Sequence, residues 1–281
     1  MTLVALVELG RGVLAPDTAV LHADDEGVLR GRSVFETLRA YGGKPFRLDA
    51  HLGRLAASAE RLRLEPPPPD AFAAAVSDAI VAAALPDATV RLLWTAGREG
   101  GGPPAGLVLV STLPPGHEEL RERGLRLAVV EWAAGALAGA KSTSYAENIA
   151  AQNQAADRGA DDALLVAPDG TVLEAPTSNV WFREGDRLLT PSLSLPILAG
   201  VTRATSPLLP VEDHEHAQLF VGAEPVNRPG RHEDGVPLPQ VHRLALDVEL
   251  PGSLEHHVDL VVVVRLLPVR LRCDEHVDAE L

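Results

Sequence analysis

Residues 135–166 read GALAGAKSTSYAENIAAQNQAADRGADDALLV. Lys141 in this stretch is one of two lysines in the chain, the other being Lys44, and arginine supplies the remaining cations. Arginine stays protonated, whereas a lysine that loses its proton can attack a carbonyl and form a Schiff base. A lysine kept in an arginine-rich chain is therefore a candidate for chemistry rather than for surface charge. Its flank, AGALAGA, is small and apolar, so the amine is expected among closely packed backbone, where desolvation favours the neutral form.

Working outward from Lys141, strand-like and helical stretches alternate. VALVEL and SVFETLRAY read as strands. DAHLGRLAASAERLRL places Leu48, Leu52, Leu55, Ala59 and Leu62 on one helical face, with Asp49 as the expected N-cap and the run Pro66–Pro69 as its stop. Asp70 is the expected cap of a second helix, AFAAAVSDAIVAAAL, and ATVRLLWT and GLVLVST follow as strands around the loop AGREGGGPPA. LPPGHEEL, residues 113–120, reads as a linker, which divides the chain into 1–115 and 120–281. Beyond it come a strand LRLAVVEW, a helix from about Glu147 to Arg158, a strand ALLVA, a turn at Pro168-Asp169-Gly170 and a strand NVWF. The mixture predicts an α/β (α+β) protein.

Composition narrows the function. Hydrophobic residues at 46% and charged ones at 23% fit a globular protein, and a net charge of −14 disfavours nucleic acid or anionic lipid as partner. One cysteine, Cys273, excludes an internal disulfide and a cysteine-rich zinc site. No apolar run approaches a membrane span and the first residues do not resemble a secretory leader, so a cytoplasmic location is expected.

Three further features accompany Lys141. Glu174, in DGTVLEAPTSNVWF, follows a strand and precedes a small polar loop, with Asn179 opening the next strand. LAGVTRA reads as a turn into a helix whose first amides, at Val201 and Thr202, suit a phosphate. A lysine, an acid and a phosphate cradle are together what pyridoxal phosphate requires.

ADDEGVLRGRSVFETLRAYGGKPFRLDAHLGRL, AGAKSTSYAENIAAQNQAADRGADDALLVAPDGTVLEAPTSNVWF and LLTPSLSLPILAGVTRA resemble the class IV (fold type IV) pyridoxal-phosphate enzymes across residues 20–205. This group includes branched-chain and D-amino-acid aminotransferases and aminodeoxychorismate lyase. The resemblance implies a two-domain D-amino-acid-aminotransferase-like fold with pyridoxal 5′-phosphate between the domains, and a homodimer. It implies Lys141 as the Schiff-base lysine, Glu174 as partner of the pyridine nitrogen, Arg54 as phosphate-binding arginine and Val201 with Thr202 as the phosphate-binding turn. Tyr145 falls near a tyrosine that in some members bonds the ring's phenolic oxygen. VLHADDEGVLRGRSVFETLRA and AKSTSYAEN look most like bacterial aminodeoxychorismate lyases, which release pyruvate from 4-amino-4-deoxychorismate to give 4-aminobenzoate for folate biosynthesis. Arg98, in the glycine-rich loop, is a candidate partner for a substrate carboxylate. The alternatives are a branched-chain or D-amino-acid aminotransferase, and a non-catalytic relative; in each enzyme reading the partner is a small amino substrate.

Two departures from the family pattern stand out. Where a Gly-Asp-Gly-like turn is usual, this chain reads Gly31-Arg32-Ser33, which removes a glycine's access to positive φ. After GVTRAT the pattern stops: Ser206-Pro207 interrupts the helix, alanine becomes scarce, and seven of the ten histidines (His214, His216, His232, His242, His256, His257 and His276) fall in 206–281. No acid-rich or cysteine-containing framework joins those histidines, so no metal site is expected. A change of reading frame near residue 205 is the economical explanation, and it predicts weak cofactor retention and poor stability.

Overall fold

The computed structural model describes residues 1–116, 123–184, 187–205, 211–214 and 262–265. Twelve strands are described: β1 (Leu3–Glu8), β2 (Gly12–Leu14), β3 (Ser33–Tyr41), β4 (Lys44–Pro45), β5 (Ala88–Thr95), β6 (Gly106–Ser111), β7 (Leu127–Glu131), β8 (Asp162–Val166), β9 (Val180–Glu184), β10 (Arg187–Pro191), β11 (Val211–His214) and β12 (Val262–Arg265). The helices are α1 (Glu26–Arg30), α2 (Leu48–Arg61), α3 (Pro69–Ala83), α4 (Ala146–Asp157) and α5 (Val201–Thr205). The chain is thus a mixed α/β protein. None of the described helices is long and apolar enough to cross a membrane.

The first sheet is antiparallel throughout, in the order β2-β1-β6-β5-β3-β4. Its strands alternate as their sequences require: in β3, Val34, Glu36, Leu38 and Ala40 face inward and the residues between them are half-exposed. α2 packs on β3 and α3 on β1 and β6, closing a core that includes Val34, Leu55, Phe72, Val90, Leu92 and Val108.

Both helix starts differ from expectation. α2 begins at Leu48 behind Arg47, whose φ of 50° turns the chain, and Asp49 lies in the first turn without capping. A carboxylate there still favours the positive end of the helix dipole. α3 begins at Pro69 with Asp70 again in its first turn, because proline's missing N–H costs nothing at the first helical position. α2 also ends at Arg61, ahead of the prolines.

The turn before β3 corrects a second expectation. Gly31 alone takes the left-handed conformation, with φ 64°, and closes α1. Ser33 already belongs to β3, so replacing glycine there demands no positive φ.

Past residue 123, β7 and β8 run parallel with α4 between them in the chain. A second sheet has the order β11-β10-β9-β12, in which β11 is parallel to β10 and β12 parallel to β9. The linker expected at 113–120 is irregular up to Gly116, and 117–122 lie outside the described residues. Of the tail, only the two short strands β11 and β12 are described. His216, His232, His242, His256, His257, His276 and Cys273 lie outside the described residues, as does Ser206-Pro207.

Candidate functional site

The lysine segment is fixed by backbone pairing with the first sheet. Phe35 N–H donates to the Lys141 carbonyl at 3.0 Å, Thr143 N–H to the Ser33 carbonyl at 2.9 Å, and Val34 and Ser142 form an antiparallel bridge. Lys141 N–H donates to the Ser58 hydroxyl of α2 at 3.1 Å. The residue is half-buried rather than enclosed, and its Nζ stands 4.9 Å from the centre of the Phe35 ring. Of the small flank, Gly139 has a steric reason, since a Cβ there would come within 3.0 Å of Arg61 Nη1 and 3.3 Å of the Ile197 carbonyl. Residues 134–137, by contrast, are exposed rather than closely packed as expected.

α2 supplies the second wall. His51, Arg54 and Ser58 stand three and four residues apart and so share one face. Arg54 Nε and Nη2 donate to the two oxygens of Glu36 at 2.7 Å each, and Nη1 reaches the Ala199 carbonyl at 3.1 Å. His51 Nδ1 bonds Glu36 Oε2 at 2.7 Å. A carboxylate only accepts, so Nδ1 carries the proton. Burial raises the Glu36 pKa, but the hydrogen bonds from Arg54 and His51 outweigh it and hold the carboxyl below its ordinary range.

The segment after β8 folds back on it, with Leu173 N–H bonded to the Leu165 carbonyl at 2.9 Å and Leu165 N–H to the Glu174 carbonyl at 2.8 Å. This turns the Glu174 side chain to Leu198 N–H, at 3.1 and 3.2 Å, and to Asn179 Nδ2 at 3.2 Å. Burial pushes the Glu174 pKa up to about 7, against the pull of the Leu198 hydrogen bond and of the charges on Lys141 and Arg54. Tyr145 donates its hydroxyl to the Pro176 carbonyl, which also accepts from Asn148 at 3.0 Å. Its ring meets Phe35 edge-on at 5.7 Å, and burial lifts its pKa to about 12.

These walls enclose a cavity of about 150 Å³, lined by Lys141, Arg54, Tyr145, Glu174, Asn179 and Gly200 among others. A single water needs only about 10–15 Å³ on the same measure, so the space suits a larger guest. Val201 and Thr202 are buried immediately behind Gly200, in the first turn of α5. Of the residues singled out in the sequence, Val201 and Thr202 do not themselves line the cavity, and Arg98 stands apart. It does not line the cavity, and its guanidinium grips Asp24 with bonds of 2.8–3.0 Å.

Sequence reasoning assigned no role to Glu36, His51 and Ser58. The signal for Glu36 was available in the alternation of β3, which puts a charged residue on the inward face between Val34 and Leu38.

The family model described as Amino-transferase class IV matches residues 33–207. The chain is 36% identical over 217 residues, 70% of its length, to 75% of a bifunctional aminodeoxychorismate lyase / D-amino acid transaminase from Mycobacterium tuberculosis. It superposes with a TM-score of 0.70 on a fold IV transaminase from Curtobacterium pusillum, at 31% identity, covering 75% of this chain and 80% of that one. The same score and coverage, at 34% identity, relate it to a hypothetical aminotransferase from Mycobacterium tuberculosis in its PLP-bound form. The chain belongs to the class IV aminotransferases and has their fold type IV architecture. Its cofactor is pyridoxal 5′-phosphate.

The residues present fit that group. The Lys141 amine, the Arg54 guanidinium and the half-buried Glu174 carboxylate line one cavity, and Gly200 leaves room at its wall, where a Cβ would fall 1.9 Å from Asn179 Oδ1.

Proposed function

We propose that this chain releases pyruvate from 4-amino-4-deoxychorismate and yields 4-aminobenzoate, as an aminodeoxychorismate lyase. The observation that carries a pyridoxal-phosphate reaction is the convergence of Lys141, Arg54 and Glu174 on one cavity from three separate segments. The lyase assignment is supported by the lyase-like stretches at residues 20–40 and 140–148 and by the name of the Mycobacterium tuberculosis relative.

In this reading Lys141 Nζ holds the cofactor's aldehyde carbon. Arg54 and the turn at Val201 and Thr202 hold its phosphate, and Glu174 holds the proton at its pyridine nitrogen. When bound, pyridoxal phosphate supplies an electron sink for the carbon that carries the substrate's amino group. The Lys141 Nζ would serve as the base and acid that takes a proton from that carbon and returns one to the product. Tyr145 keeps its proton at neutral pH and positions the Pro176 carbonyl rather than acting as a base. The enzyme works as a homodimer in the cytoplasm.

The same relative's name also supports a D-amino-acid transaminase, in which Lys141 would again be the group that moves a proton to and from the same carbon. The assay separates the two. The lyase releases pyruvate from aminodeoxychorismate with no amino acceptor present, whereas a transaminase turns over only with a 2-oxo acid. Borohydride reduction followed by peptide mapping is expected to recover the pyridoxyl group on Lys141; recovery on Lys44 overturns the proposal.

A further inference from the structure

We propose that Glu36 is a positioning residue for the phosphate half of the site: with His51 it locks the Arg54 guanidinium and, through Arg54, ties down the turn that leads into α5. The inference rests on the reading that Arg54 meets the phosphate.

Glu36 is fully buried, on the inward face of β3 beside Val34, Leu38 and Ala40. An apolar residue of similar volume would avoid the desolvation of a carboxylate, so packing alone does not call for an acid here. What the carboxylate does is geometric. Its oxygens take Arg54 Nε and Nη2 at 2.7 Å, a fork-to-fork pairing that fixes the plane of the guanidinium as well as its position. His51, 1% exposed, donates to Oε2 from the side and holds the carboxylate against rotation.

The consequence appears at the other edge of Arg54. Nη1 points to the Ala199 carbonyl, one residue before Gly200 and two before Val201. The two elements assigned to the phosphate, the arginine and the turn, are thereby joined by a hydrogen bond whose direction Glu36 sets. Without Glu36 the guanidinium keeps its charge but loses its orientation, and the turn loses an oriented donor. Arg54 itself stands on α2, which packs on β3, so the first sheet decides where an anion is held in a cavity built largely by residues beyond 130.

The test uses the full-length chain and the variants Glu36→Gln, His51→Gln, Arg54→Gln and the Glu36→Gln/Arg54→Gln pair. Affinity is measured by absorbance titration for pyridoxal 5′-phosphate and for pyridoxal, which lacks the phosphate. Arg54→Gln is expected to reduce the preference for the phosphorylated form by about 10- to 100-fold, and Glu36→Gln by about tenfold, as for residues that orient a ligand-binding group. The double variant is expected to lose no more than Arg54→Gln alone, because Glu36 acts only through Arg54. An unchanged ratio in folded Glu36→Gln, or equal losses for both ligands, overturns the positioning role while leaving the Arg54 assignment standing. An unchanged ratio in Arg54→Gln overturns both. If Glu36→Gln does not fold by circular dichroism, His51→Gln decides: a loss of about threefold in the ratio is expected, and none overturns the proposal.

Discussion

Two glutamates, one from each part of the chain, Glu36 buried and Glu174 half-buried, differ in what surrounds them. Glu36 lies under the first sheet and is hydrogen-bonded by an arginine and a histidine, so its charge is fixed and its pKa held low. Glu174 lies beyond the lysine segment and is hydrogen-bonded by a backbone amide and an asparagine amide. Its pKa rises to about 7. The same side chain is a structural anion in one place and a titrating group in the other. Burial sets the cost in both, and the partner decides the outcome.

The largest test separates charge from chemistry beside Glu174. Lys141→Arg keeps a cation in the cavity but removes the amine that can lose a proton; activity is expected to fall by about 100-fold or more, with no borohydride-trapped cofactor at position 141. Retained turnover would mean that the lysine serves only as a charge.

Next comes stability. Glu36→Ala leaves Arg54 and His51 without their shared acceptor and is expected to cost about 3–5 kcal/mol by denaturant unfolding. Glu174→Gln, measured on the cofactor-free chain at pH 8, is expected to be neutral or stabilising, because it removes a desolvated charge. Equal losses in the two variants would erase the contrast.

The pH dependence gives the two residues opposite signs. Glu174 ionises near 4.5 in the unfolded chain and near 7 when folded, so the folded state holds its proton more tightly between these values. Stability of the cofactor-free protein therefore falls as pH rises through that window, by at most about 3 kcal/mol from this group, and Glu174→Gln flattens the slope. Glu36 has a lowered folded pKa, so its contribution is present above the ordinary glutamate range and is lost as pH falls below it. Unfolding curves across pH 3–8 for the two Gln variants, on an axis of about five pH units, read both windows.

The smallest effect is at Tyr145. Tyr145→Phe removes one donor from the Pro176 carbonyl, which retains Asn148, and is expected to cost about 1 kcal/mol. With its pKa near 12, Tyr145 adds no phenolate absorbance below about pH 11, so variant and parent should titrate alike up to that point.

Much of this was legible in the linear chain. The strand-like runs SVFETLRAY, ATVRLLWT and GLVLVST correspond to β3, β5 and β6, helical spacing located α2, and the two further helical stretches correspond to α3 and α4. The helix starts were misjudged at Asp49 and Asp70 because capping preferences rank side chains, whereas backbone geometry at Arg47 and Pro69 decided where each helix began. Arg98 was unreadable for a different reason: Asp24, its ion-pair partner, is 74 positions away. Glu36 stood in plain sight on an apolar face, but its meaning depended on two α2 residues 15 and 18 positions later.

The sequence by itself determined which groups are capable of the chemistry: a lysine able to lose its proton, an arginine that is not, and an acid after a strand. These are properties of single residues and their immediate neighbours. Only the tertiary structure decided the state each group holds, because burial and partners come from segments distant in the chain. That is why one glutamate is a clamp and the other a site for a proton.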